Sequence, residues 1–199
     1  MDRQHEAPSA RSGTPPPAMR EQILEAARVL ITQRGFADVS LADIAEVVGV
    51  SKTAVAYHFH PKDRLLSEIL EPPRLGLQRL LSMPLDRAAF VDHYVRFVID
   101  HRDTFGLIFL DPSLVRHPLF GQRIVQGRHA IVERLSPDAD RGSALTAWAA
   151  LGAINIAVLQ ATDIEPDSLH AGVTALALRV LELDGPGVSR LPRDSLENP

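Results

Sequence analysis

The chain has 199 residues, of which 45% are apolar, with 21 basic and 25 acidic side chains and a formal net charge of −4. That is enough apolar material for one medium domain or two small ones, and the mild acidity argues against a protein that coats nucleic acid non-specifically. It has no cysteine, which excludes a disulfide framework and thiol chemistry and suits the cytoplasm. Residues 1–17, with Pro8, Ser9, Ser12, Gly13 and Pro15 to Pro17, read as a disordered arm without the long apolar run of a secretory signal. A first helix is predicted over 21–34, with Ile23, Ala27, Leu30 and Ile31 on one side and Gly35 as its stop.

Two short helices follow, separated by one glycine. Ser40 reads as an N-cap, with Asp43 three residues on as its capping-box partner. Leu41, Ile44, Ala45 and Val48 then recur at helical spacing. Gly49 reaches left-handed backbone angles at little cost, so the chain can reverse there, and Ser51 can cap a second helix. In that helix Val55 and Phe59 face inward, which shares Lys52, Thr53, Ala54, Ala56, Tyr57 and His58 among the remaining faces. This is helix-turn-helix spacing, and these side chains can meet phosphates and base edges. His58 and His60 are not a metal pair, because their spacing points the rings apart and there is no cysteine to complete a set.

Ile23-Leu24, Ala26-Ala27, Gly35-Phe36, Ser40, Asp43-Ile44-Ala45, Gly49-Val50-Ser51-Lys52, Tyr57-His58-Phe59, Lys62 and Leu65 carry a resemblance. By these marks the stretch 20–70 resembles the N-terminal domain of the TetR (tetracycline-repressor-like) family of bacterial regulators. The resemblance implies that Ser40, Tyr57 and Lys62 hold phosphates and that Lys52, Thr53 and Ala54 lie nearest the bases, with Ser51 and His58 completing the DNA-facing set. Ala54 stands where Thr or Ser is common, and Ala56 where a tyrosine often precedes Tyr57; both changes remove hydroxyls and imply fewer DNA contacts. Pro61 replaces a usual cap serine and suits a first helical turn. The segment is slightly acidic and has no broad basic patch, so binding is expected to be local, dimer-dependent and salt-sensitive.

The next helix is predicted over 61–71, carrying Leu65, Leu66, Ile69 and Leu70, with Pro72-Pro73 breaking it and forming a joint between domains. Helical stretches follow over 74–83, 86–101, a short one capped by Asp103 or Thr104, and 119–135 with Phe120, Ile124, Ile131 and Leu135 as a face. Most aromatics at such spacing are core. By the resemblance, which implies an inducer pocket in this part, His93, Phe97, His101, Phe105, Phe109, Phe120 and Trp148 are the ligand-binding candidates for an apolar or aromatic small molecule.

Residues 144–161 are apolar nearly all round, so that helix must be covered on both sides. Its alanines, Gly152 and Asn155 make it too mildly hydrophobic for a membrane span. A last helix starts near Pro166 and carries Leu169, Val173, Leu176, Ala177, Val180 and Leu181; residues 184–199 read as a loose tail. The resemblance implies that these two helices meet their symmetry mates in a four-helix seam, with Trp148, Leu151, Gly152, Asn155, Val173, Leu176 and Val180 as the dimer interface.

The expected fold is therefore all-α. A three-helix DNA-binding domain with its helix-turn-helix spans 18–71, and a helical bundle for ligand binding and dimerisation spans 72–183. Nucleotide-binding and hydrolase motifs are absent, so neither an enzyme nor a cofactor is expected. The expected function is a cytoplasmic homodimeric regulator, most readily a repressor, that binds a palindromic operator and is released by a small molecule acting through 61–71 as a lever. The alternative is a ligand-binding or protein-interaction adaptor that has lost specific DNA binding.

Overall fold

Ile23, Ala27, Leu30 and Ile31, the apolar set of the first predicted helix, are the buried residues of α1 (Met19–Arg34). The computed structural model describes residues 18–136 and 141–182, and within them the chain is helices and turns with no strand. The expected arm 1–17 and tail 184–199 lie outside the described residues. After α1 come α2 (Leu41–Val48), α3 (Lys52–Phe59), α4 (Asp63–Ser82), α5 (Arg87–Asp100) and α6 (Arg102–Leu110). The remainder are α7 (Pro112–Val115), α8 (Gly121–Leu135), α9 (Arg141–Gln160) and α10 (Pro166–Glu182).

Two apolar clusters organise these helices. The first joins α1, α2, α3 and the N-terminal half of α4 around Ile23, Ile44, Val55, Phe59, Leu65 and Leu66. Each such fully buried side chain contributes about 1.5–3 kcal/mol relative to exposure. Leu107 of α6, Leu114 of α7 and Phe120 at the start of α8 belong to this same cluster. The core of the N-terminal helices is thus closed by residues from far down the chain. The second cluster holds α5, α8, α9 and α10 together through Phe90, Tyr94, Leu135, Leu151, Ile154 and Val173.

The helix α4 corrects the sequence reading at both ends. It runs without interruption through Pro72 and Pro73 and ends at Ser82, so the expected break and the separate 74–83 helix are one element. Each proline lacks the N–H that would reach the carbonyl four residues back, a local loss that sequence rules treat as terminal. Here α4 packs against α1, α5, α6 and α8, with Pro73 itself buried, and that tertiary contact carries the helix across. At its start Pro61 lies in the preceding turn, where its carbonyl accepts Arg64 N at 3.0 Å, and the helix begins two residues later than expected.

Asp86 caps α5 by accepting from Ala89 N at 2.8 Å. The expected cap of the following helix moves as well: α6 starts at Arg102 behind His101, so Asp103 and Thr104 lie inside it. The single turn α7 has no counterpart among the predicted elements; Asp111 caps it and Pro112 opens it, where the missing N–H costs nothing.

The apolar helix α9 turns Ala147, Ala150, Leu151, Ile154 and Val158 into the core. Residues Gly142–Gln160 are long and apolar enough to cross a membrane, yet within this fold they form a bundle helix with one face inside. Buried Asn155 donates to Leu151 O at 2.7 Å and to the Tyr94 hydroxyl at 3.2 Å, so both polar groups are satisfied inside the core.

Candidate nucleic-acid interface and effector cavity

The α2–α3 corner is fixed by caps. Ser40 Oγ accepts Asp43 N at 3.2 Å, while the Asp43 carboxylate accepts Ser40 N at 2.7 Å, closing a reciprocal box. Hydrogen bonds from Ser40 hold the Asp43 carboxyl below its ordinary pKa. Gly49 adopts φ 77° and ψ 32°, left-handed angles that an L side chain resists, and its N–H returns to Ala45 O at 2.9 Å. Ser51 then caps α3 by accepting Ala54 N at 3.1 Å.

Val55 and Phe59 are fully buried and anchor α3, which fixes its outer face. Lys52, Thr53 and Tyr57 stand there in solvent, with Ser51 at the N-terminus, and Tyr57 is 84% exposed. A large aromatic this exposed on a short, capped helix is available to a partner surface. His58 is half-buried with its ring edge-on to Tyr57, 5.2 Å between centroids, and Ala54 is half-buried. Arg20, Arg28 and Arg64 pair with Glu68, Glu25 and Glu68. Lys52 is therefore the cation of α3 that no described carboxylate engages.

Lys62, expected to hold phosphate, is engaged within the chain. Its ammonium donates to Phe36 O at 2.5 Å and Val39 O at 2.7 Å, and lies 4.1 Å from the Phe36 ring centroid. Burial lowers its pKa, opposed by Asp63, Asp38 and Asp43 nearby. The carbonyls it satisfies belong to the α1–α2 connection, so the side chain is turned inward as a strut.

The same connection is gripped from the second half of the chain. Asp111 accepts Phe36 N and Ser113 N, each at 2.8 Å. Burial raises the Asp111 pKa, but the hydrogen bonds from Ser113 and Phe36 lower it further, and the carboxyl ends below its ordinary range. Gly35 sits against this carboxylate at φ 85°; a Cβ there would stand 3.3 Å from Asp111 Oδ2. His117, whose Nδ1 accepts Leu119 N, brings Nε2 to 3.4 Å from Asp63 at the start of α4. Its ring also lies 5.6 Å from Phe36 and 4.9 Å from Phe120.

The expected ligand set divides three ways. Phe105, Phe109 and Phe120 line one cavity of about 140 Å³ between α4, α6 and α8, together with Leu70, Ile124 and Arg128. His93, Phe97 and His101, all from α5 and its C-terminal end, instead face an open groove among α1, α4 and α5. Trp148 lines neither; it is 39% exposed on α9, edge-on to His129 at 5.2 Å. The cavity residue missed in the sequence is Arg128. It lies four residues after Ile124 and three before Ile131, so a charge interrupting the apolar stripe of α8 was the available signal.

The expected seam is also redistributed. Leu151, Asn155 and Val173 are buried in the chain's own core. The outward side of α9 is Leu145, Trp148, Gly152 and Ile156, flanked by Leu176 of α10, with Val180 half-buried. A Cβ built at Gly152 or Gly172 meets nothing within 4 Å, so the backbone there is open to close approach.

Residues 23–69 match the family model described as bacterial regulatory proteins, tetR family. The HTH-type transcriptional regulator TtgR of Pseudomonas putida is 44% identical over 52 residues, 26% of this chain and 25% of that protein. The likeness thus spans about a quarter of that relative's length. A TetR-like transcriptional regulator from Rhodococcus sp. RHA1 shares the fold with a TM-score of 0.63 at 22% identity, covering 85% of this chain and 99% of that one. The multidrug binding protein EbrR, solved in complex with malachite green, has a TM-score of 0.53 at 19% identity, covering 82% and 98%. The capped helix-turn-helix thus lies inside a segment that matches the tetR family of bacterial regulatory proteins, and the described residues share the fold of TetR-like solved structures.

Proposed function

We propose that the protein is a cytoplasmic transcriptional repressor that binds a palindromic operator as a homodimer and is released by a small apolar or aromatic effector. The observation that carries the DNA half is the outer face of α3, where Lys52, Thr53 and Tyr57 stand exposed on a helix anchored by Val55 and Phe59. Lysine can meet phosphate or guanine, threonine phosphate or a thymine methyl, and tyrosine a backbone oxygen. Ser40 and Ser51, at the N-termini of α2 and α3, add hydroxyls beside backbone N–H groups suited to phosphate.

A dimer reading is supported by the exposed stripe Leu145, Trp148, Gly152 and Ile156 at helical spacing. Two copies related by a two-fold axis would bury that stripe against itself and set their α3 helices in successive major grooves, about 34 Å apart.

Release is supported by Phe120. It lines the cavity and also belongs to the core that holds α1, α2 and α3. A ligand pressing on Phe120 acts on the packing beneath the reading helix and, through His117, on Asp63 at the head of α4. Because α4 is continuous, it moves as one rod and replaces the jointed lever expected from Pro72-Pro73. The ligand shifts the equilibrium only by its differential affinity for the two arrangements. EbrR, of the same fold, holds malachite green, which supports reading this chain as one that binds small molecules.

The test is recovery of genomic DNA fragments by the wild-type protein and by a Lys52→Ala, Tyr57→Ala double variant. The proposal expects a recurrent two-fold symmetric motif with the wild type and its loss with a folded variant. Equal recovery by both, or no recurrent motif, contradicts it.

A further inference from the structure

We infer that the cavity between α4, α6 and α8 selects a small ring-bearing carboxylate, with Arg128 holding its charged end; this rests on reading that cavity as the effector site. The volume of about 140 Å³ compares with the roughly 150 Å³ apolar cavity that takes up one benzene ring. Phe105, Phe109, Phe120, Ile108, Ile124 and Ile131 form apolar walls suited to such a ring.

The polar part of the lining is cationic. Beside Ser67 it comprises Arg74, Arg123, Arg128 and a single acid, Glu71. Glu71 already accepts two hydrogen bonds from Arg74, each 2.7 Å. Arg128 is half-buried, with Nη2 donating to Ile108 O at 2.7 Å and Cζ 4.6 Å from the Phe109 ring centroid. Its Nε is buried and has no hydrogen-bond partner. Among the described residues no carboxylate pairs with it.

A partly desolvated cation without a counter-ion is costly, and burial already pulls its pKa down. A carboxylate entering the cavity supplies the missing charge beside the guanidinium, whose planar set of donors favours carboxylate geometry. A neutral ring leaves the cation uncompensated, and a cationic one is repelled. Arg102 and Arg134 also bury an unpartnered Nε, but neither lines this cavity.

Titration calorimetry of the full chain at neutral pH with sodium benzoate and with benzyl alcohol, a similar ring without the charge, tests the assignment. Benzoate is expected to bind roughly ten- to a hundredfold more tightly, the worth of one hydrogen-bonded charge. In Arg128→Met the benzoate preference disappears while benzyl alcohol binds as before, which also reports an intact cavity. Equal affinity for the two molecules, no binding of benzoate, or a preference that survives Arg128→Met overturns the inference. The regulatory reading fails separately: benzoate then binds with the expected preference, yet retention of recovered DNA fragments is unchanged at saturating benzoate.

Discussion

Lys62 donates to the carbonyls of Phe36 and Val39 within its own chain, whereas Lys52, ten residues earlier, points from α3 into solvent. Removing Lys62 leaves two carbonyls unsatisfied, so Lys62→Met is expected to lower stability by about 1.5–3 kcal/mol in urea unfolding. Lys52→Ala is expected to change stability by less than about 0.5 kcal/mol while weakening DNA retention about tenfold. The reverse pattern would return Lys62 to the DNA surface. The two lysines look alike in sequence because the partners of Lys62 lie 26 and 23 residues upstream, where no local spacing rule reaches. Asp111 is silent for the same reason, its tie to Phe36 spanning 75 residues. Its lowered carboxyl contributes stability that is present above the ordinary value of 3.8 and is lost as the pH falls through its folded value. Asp111→Asn is therefore expected to cost about 1–2 kcal/mol at neutral pH, with the gap to wild type closing in acid; a gap independent of pH in thermal melts would contradict this.

At the scale of elements, the helix-turn-helix is legible because its determinants are local: Ser40 with Asp43, Gly49 with its left-handed angles, and Ser51 with Ala54 N. The helix α4 is not, because proline rules are also local, while the contacts that hold this helix come from five other helices. Pro72 is exposed and contributes no buried surface to offset its missing hydrogen bond. Pro72→Ala is thus expected to stabilise the protein by about 2 kcal/mol, the helix-interior penalty of proline less its benefit in the unfolded chain. A loss of stability in denaturant titrations would show that α4 relies on that proline as a turn.

For the whole molecule, periodicity in the sequence identifies which residues are buried but not against what. Phe97 and Phe105 share one apolar reading, yet one faces an open groove and the other the cavity, a division set by how α4 crosses α5 and α6. Likewise Leu151 and Trp148 lie one turn apart on one helix, yet Leu151 is buried and Trp148 is exposed, because the boundary between core and solvent on α9 runs between them. The exposed side is the proposed seam, and Trp148→Glu is expected to convert dimers to monomers in sedimentation velocity while leaving the far-ultraviolet spectrum of the helices intact. A variant that stays dimeric would place the seam elsewhere. Phe120 of the first apolar cluster shares the cavity lining with Phe105 and Ile131 of the second, which is the arrangement the proposed release relies on.

Hydroxyl-radical footprinting of the protein on a recovered DNA fragment tests the central claim most directly. The account predicts two protected half-sites related by a dyad, their centres about 34 Å apart on one side of the duplex, both vanishing together in Trp148→Glu. One undivided protected patch that persists in the monomeric variant would contradict it.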